Sequence, residues 1–166
     1  MFSFYHKNYN HLYNSLVKLS RNIYFYKKIC LKDTFETRII LIFFHFSIIL
    51  LINKIKYKKK EMSQKIFDNV FLNIEYHLRE QGLGDIAVNK KMKTLNKIFY
   101  DILLRINRTK TKIFSANVNL FEKHIEQFEK KDIKLNELEA YFNSFYNNCL
   151  ELNFKDIIKG NIKTNF

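Results

Sequence analysis

LREQGLGDIAVNKKMK, residues 78–93, holds two of the three glycines in a chain of 166 residues. An apolar stripe of Ile66, Phe67, Val70, Phe71, Ile74 and Leu78 runs into it at helical spacing. Another runs out of it: Val88, Met92, Leu95, Phe99, Ile102 and Ile106 alternate steps of four and three. Gly82 fits the position just past a helix end, where the backbone turns left-handed and a side chain clashes. Asp85 fits an N-cap, its carboxylate accepting from the open N–H groups of the next helix. The stretch therefore predicts two long antiparallel helices joined by a tight corner. Gly84, on this reading, also needs a backbone that a β-branched residue resists, so Gly84→Val is expected to disrupt the corner.

Working outward, the same preference for helix continues. With no proline and few glycines, turns are scarce, which favours long helices over a many-stranded β fold. Leu12, Leu16 and Leu19 predict a short first helix, and Asn22 can cap a second turn holding Ile23, Phe25, Tyr26 and Ile29. Asp33, with Glu36 three residues on, reads as a capping box. Residues 39–52 are apolar except for His45 and Ser47. As a helix they reach about 21 Å, short of the roughly 30 Å of bilayer hydrocarbon, so they read as a buried central helix rather than a span. Phe114, Val118, Phe121, Ile125 and Phe128 predict one later helix; Leu135, Leu138, Phe142, Phe145 and Cys149 predict another. Residues 153–166 are weakly patterned and expected to fray. The expected architecture is all-α: a single-domain bundle of about six helices around one buried apolar helix. Its expected divisions are an N-terminal extension over 1–11, a helical domain over 12–152 and a tail over 153–166.

The formal charge of +13 raises nucleic acid and anionic membranes as partners. The abundance of Lys, Asn, Ile, Phe and Tyr, all drawn from AT-rich codons, accounts for part of it without any selected partner. KIKYKKK, residues 54–60, reads as a solvated helix end, with phosphate or lipid-headgroup contact as the sharper alternative. Seventeen Phe and ten Tyr exceed what a small core readily hides, so some are expected at the surface, in a patch suited to shielding an apolar partner. Cys30 and Cys149 lack CxxC spacing and read as buried thiols of a reducing compartment.

LREQGLGDIAVNKKMK closely resembles the signature of the ubiquinol–cytochrome c chaperone family, roughly LRE-x-G-[VI]-GD-x-x-V-x-K-x-[MV]-K. Leu78, Arg79, Glu80, Gly82, Gly84, Asp85, Val88, Lys90, Met92 and Lys93 fall on it. LYNSLVKLSRNIYFYKKICLKDT, residues 12–34, parallels the family's opening through its Asp33-Thr34 pair. Arg38 and His45 keep the register of the family's Gly-Arg-Phe and Leu-His helix, although Thr37 and Ile39 replace the Gly and Phe and Phe44 stands for Leu. Phe99-Tyr100 is present, but Asp101-Ile102 follows where relatives carry Gly-Arg. The resemblance implies a non-enzymatic assembly factor for the cytochrome bc1 complex. It would hold newly made cytochrome b or other bc1 subunits, with a small second chaperone subunit, the ribosome and an anionic membrane surface as further partners. The residues it marks for partner binding are Asp33, Arg38, His45, Arg79, Gly82, Gly84, Asp85, Lys90 and Lys93.

No H-E-x-x-H, Walker loop, nucleophile elbow or dinucleotide fingerprint is present, and no catalytic residue, metal ligand or cofactor is expected. His6, His11, His45, His77 and His124 lack metal-ligand spacing. His45, on an apolar helix, reads as a core histidine bonded to a neighbour. Arg79 and Glu80 can either brace the corner or face a partner, since a rigid corner serves both. The opening MFSFYHKNYNHLYNSL resembles neither a signal peptide nor an organelle presequence. The expected location is the bacterial cytoplasm, peripheral to the inner membrane, with the matrix side of the mitochondrial inner membrane as the alternative. Two rival classes remain open: a basic helical nucleic-acid or ribosome-binding module joining residues 54–60 to 105–112, and a small membrane protein anchored by residues 39–52.

Overall fold

The computed structural model describes residues 10–107, 118–125 and 133–164. Among these there are no strands and seven α-helices. They are α1 (Asn10–Ser20), α2 (Phe35–Ile52), α3 (Lys60–Glu80), α4 (Asp85–Asn107), α5 (Val118–His124), α6 (Ile133–Glu151) and α7 (Phe154–Ile158). The all-α class stands as read; most of residues 1–11, with Phe114 and Phe128, lies outside the described residues.

α2 begins one residue later than its expected cap. Thr34, not Asp33, is the N-cap, its Oγ1 accepting from the Thr37 N–H at 3.1 Å. Asp33 is thereby released to hold Arg38. Every residue of α2 from Ile39 to Ile49 is buried. Three flanks cover it. Phe43 and Phe46 meet Phe99 of α4 at 5.3 and 5.5 Å between ring centroids. Phe44 meets Phe121 of α5 and Phe142 of α6 at 4.7 and 5.3 Å. α1 packs along the remaining side, through the buried Leu12, Leu16 and Leu19.

The helical path does not stop at Ile52. It continues through a π-turn, Asn53–Tyr57, and is ended by Lys58, whose φ of 55° is left-handed. The whole stretch, Phe35–Tyr57, is long and apolar enough to cross a membrane, beyond what the 14-residue apolar run suggested. Yet 78% of its most apolar window is buried inside the protein. Exposing it to lipid means stripping off α1, α4 and α6, so the anchored reading loses its premise. Buried Asn53 sews the end of α2 to the start of α3, donating to the Lys59 carbonyl at 2.9 Å and to Ser63 Oγ.

The corner forms as the glycine pattern predicts, with one shift of role. The Gly82 N–H donates to the Arg79 carbonyl at 2.9 Å and the Leu83 N–H to the Leu78 carbonyl at 3.4 Å. That double closure needs a left-handed residue, and Gly82 supplies φ of 84°. Gly84, in contrast, has no positive φ, and a Cβ there would meet nothing within 4 Å. Its carbonyl accepts from Val88 N–H, so Gly84 is the N-cap of α4 and Asp85 the first helical residue. The disruption expected of Gly84→Val therefore lacks its backbone basis. We expect Gly82→Ser to cost about 1–2 kcal/mol, the penalty of a left-handed non-glycine residue. Gly84→Ser should be neutral or stabilising by a few tenths of a kcal/mol, since serine is a favoured cap. Denaturant midpoints of the two variants check this; equal losses would mean that both glycines answer to the same constraint.

Two other expectations change. Residues 153–164 do not fray: Asn153 caps α7, accepting from the Asp156 N–H at 2.9 Å, and Phe154 and Ile157 are buried. Gly160, with φ of 76°, lies so close to α1 that a Cβ would stand 2.8 Å from the His11 carbonyl oxygen. Nor do aromatic rings crowd the surface. Every described phenylalanine is buried or half-buried, and the exposed large apolar residues are Ile23, Ile55, Tyr76, Ile86, Tyr100 and Leu104.

Candidate functional site

The residues singled out in the sequence gather mostly at one end of the bundle. α2 and α4 run parallel, as Glu36–Lys91 and Phe43–Phe99 contacts show, and α3 runs against them. The start of α2, the corner after α3 and the start of α4 therefore meet. Arg38 grips Asp33 through two parallel bonds, Nε to Oδ1 at 2.6 Å and Nη2 to Oδ2 at 2.8 Å. That grip holds the Asp33 carboxyl below the usual carboxylate range. Arg38 also borders a small cleft of about 130 Å³ shared with Tyr13, Arg21, His77 and Gln81. Within it the Tyr13 hydroxyl pairs with His77 Nδ1 at 2.7 Å.

Arg79 ties the corner to both helices. It donates from Nη2 to Glu75 at 2.8 Å, one turn back on α3, and from Nη1 to Asp85 at the start of α4. Asp85 thus serves as a brace across the corner and not as the cap. The pairs are exposed, so their value is in geometry more than in energy. Lys90 and Lys93 stand exposed on α4.

Beside this end lies a groove of about 490 Å³ whose lining no sequence pattern singles out. Phe35, Ile39 and Ile40 of α2, Leu95 and Ile98 of α4, and Ile125 just past α5 line it. Lys32, Glu36, Lys91 and His124 add polar groups. Lys91 reaches Glu36 at 2.7 Å and lies 5.7 Å from the centre of the Phe35 ring. The groove forms from three segments far apart in the chain, so no local pattern marks it. His124 of that lining is held by Asp101, which binds it at 2.7 Å and also binds Lys123 at 2.9 Å and Arg105 at 3.1 Å. Burial alone would raise the Asp101 pKa; the hydrogen bonds it accepts from Lys123, His124 and Arg105 outweigh that and bring it to about 2. Asp101, a departure from the signature read in the sequence, here gathers Arg105, Lys123 and His124.

His45 is apart from all of this. It is wholly buried, with Nδ1 2.6 Å from the Leu41 carbonyl and Nε2 2.9 Å from the Tyr141 hydroxyl. The geometry makes Nδ1–H the donor to Leu41 and Nε2 the acceptor from Tyr141, a neutral imidazole. Burial pushes its pKa down to about 4, against an opposing pull from the Leu41 bond. It packs edge-on against Phe145 at 4.7 Å and offers no surface to a partner. Of the cysteines, Cys149 is buried, its thiol pushed up to about 12 by desolvation. Cys30 is exposed, contrary to expectation, because it takes the left-handed turn that ends the π-turn Tyr24–Lys28.

The lysine run 54–60 is only partly a solvated end. Lys56 Nζ donates to the Leu150 and Leu152 carbonyls, closing the C-terminus of α6, and Lys59 lies 5.1 Å from the Phe154 ring centre. The basic face required by the nucleic-acid reading cannot be traced across 108–112, which lie outside the described residues.

Comparison with known proteins gives two matches. A family model described as ubiquinol-cytochrome C chaperone matches residues 27–110, a span that includes all of α2, α3 and α4. The fold is shared with the crystal structure of the Cbp3 homolog from Brucella abortus, at a TM-score of 0.73 and 22% identity, over 95% of this chain and 88% of that one. No curated protein matches the chain in sequence.

Proposed function

The chain belongs to the ubiquinol–cytochrome c chaperone family, and on that premise we propose that it assists assembly of the cytochrome bc1 complex by holding newly made cytochrome b. The observation that carries this is the span of the match. Residues 27–110 contain the Asp33–Arg38 clasp, the Arg79-braced corner and the α2 and α4 walls of the apolar groove. Asp33, Arg38, Arg79, Gly82, Gly84, Asp85, Lys90 and Lys93 are the residues we assign to partner binding or to shaping the partner surface. His45, wholly buried, is not among them. The action is binding without catalysis: a preformed groove with an apolar floor and charged lip covers apolar client surface and releases it on assembly. A small second chaperone subunit and the ribosome are partners we extend from the family. The location that fits is the cytoplasmic face of a bacterial inner membrane, or the matrix face of the mitochondrial one.

The test is deletion in the native host, followed by absorbance spectra of membrane cytochromes. Selective loss of the b and c1 bands, restored by the intact gene, is the expected result. Unchanged bands would overturn the assignment.

A further inference from the structure

The outward line of α4 is built differently from the motif end. Ile86, Lys90, Lys93, Lys97, Tyr100 and Leu104 recur at alternating steps of four and three, so they stack on one face over about 27 Å at 1.5 Å per residue. That face lies opposite the buried stripe of Val88, Leu95, Phe99, Ile102 and Ile106. All six outward residues are exposed, Ile86 at 88%, Leu104 at 54% and Tyr100 at 49%. The three lysines make no ion pair among the described residues. No carboxylate interrupts the line. Asp85 and Asp101, the acidic residues of α4, are turned to Arg79 and to the Arg105–Lys123–His124 cluster. On neighbouring α3, Glu75 is held by Arg79, Asp68 accepts from Gln64, and Glu80 faces His77. The half-buried Phe67 ring, 5.9 Å from Tyr100, widens the apolar end.

We propose that this face docks on an anionic lipid bilayer, the lysines against headgroup phosphates and Ile86, Tyr100 and Leu104 at the acyl boundary. Charge alone would suit a nucleic acid equally. The apolar residues at both ends decide between them, because a phosphate backbone gives Ile86 and Leu104 nothing to cover them, whereas a bilayer interface takes aliphatic and tyrosine side chains together with lysines. The inference rests on the peripheral location above and takes Lys90 and Lys93 of the partner surface as lipid contacts; vesicle binding needs no client, so its failure is distinguishable from failure of the chaperone reading.

The whole protein is tested by flotation with phosphatidylcholine vesicles, with and without phosphatidylglycerol. Binding to the anionic vesicles only, weakening as salt rises, is expected. K90Q/K93Q/K97Q should lower that affinity about a hundred-fold, each lysine near the surface contributing close to a tenfold effect or somewhat less, with its thermal melt unchanged. The chain has no tryptophan, so Leu104→Trp adds a single reporter whose emission should shift to the blue on anionic vesicles. Absence of wild-type binding, equal binding by the triple variant, or an unshifted tryptophan overturns the proposal. So does loss of vesicle binding to competing RNA with no effect of Ile86→Ser/Leu104→Ser, which would identify a nucleic-acid face instead.

Discussion

Phe99→Ala should be among the most damaging single substitutions, lowering stability by about 3–5 kcal/mol. Phe99 is wholly buried on α4 and is the point where three helices meet. Its ring lies 5.3 Å from Phe43, 5.5 Å from Phe46, 5.3 Å from Phe71 and 5.6 Å from Phe67. Truncation leaves a cavity walled by other rings, which are stiff and cannot collapse into it. For a chain of this length the loss translates to a fall in melting temperature of roughly 6–20 °C. Tyr100→Ala, one residue away but half exposed, should cost less than about 1 kcal/mol. Thermal unfolding followed by circular dichroism separates the two. A Phe99→Ala shift no larger than that of Tyr100→Ala would show that the core is not centred where α2, α3 and α4 join.

Acid should weaken the fold through His45. Its imidazole titrates near 6.5 in the unfolded chain and near 4 when folded, because burial among Phe25, Tyr141, Phe142 and Phe145 disfavours the cation. Above pH 6.5 the group is neutral in both states and contributes no slope. Between 6.5 and about 4 the unfolded chain takes up a proton that the folded one refuses, so stability falls as pH falls, by about 3 kcal/mol in all. Below that the contribution is level. His124, also lowered by burial, adds a slope of the same sign. His45→Gln keeps a polar head and removes the proton, so the variant's midpoint should change far less than wild type between about pH 7 and about pH 4.5. Parallel pH profiles for the two proteins would place the acid sensitivity elsewhere.

How much of this was legible beforehand follows the range of the interactions involved. The corner was readable because its parts lie within a few residues: a left-handed Gly82, an arginine and an aspartate six residues apart. Even there, the cap fell to Gly84 and Asp85 became a brace. Sequence spacing marks a helix start but does not decide which side chain caps it and which is drawn off by Arg79. The tail was misread because its pattern is short. Phe154 and Ile157 become core only when α1 and Tyr57 come alongside. Cys30 was misread because φ is a property of the turn and not of the residue type.

Periodicity and composition by themselves determined the helical class, the burial of residues 39–52 and the family signature, since each is written in steps of three and four or in adjacent residues. Only the tertiary structure decided the groove, the Asp101 cluster and the His45–Tyr141 bond, which spans 96 positions. Such contacts depend on where helices stop and how they cross, and that is set by the packing of all the faces at once, not by any one stretch of chain.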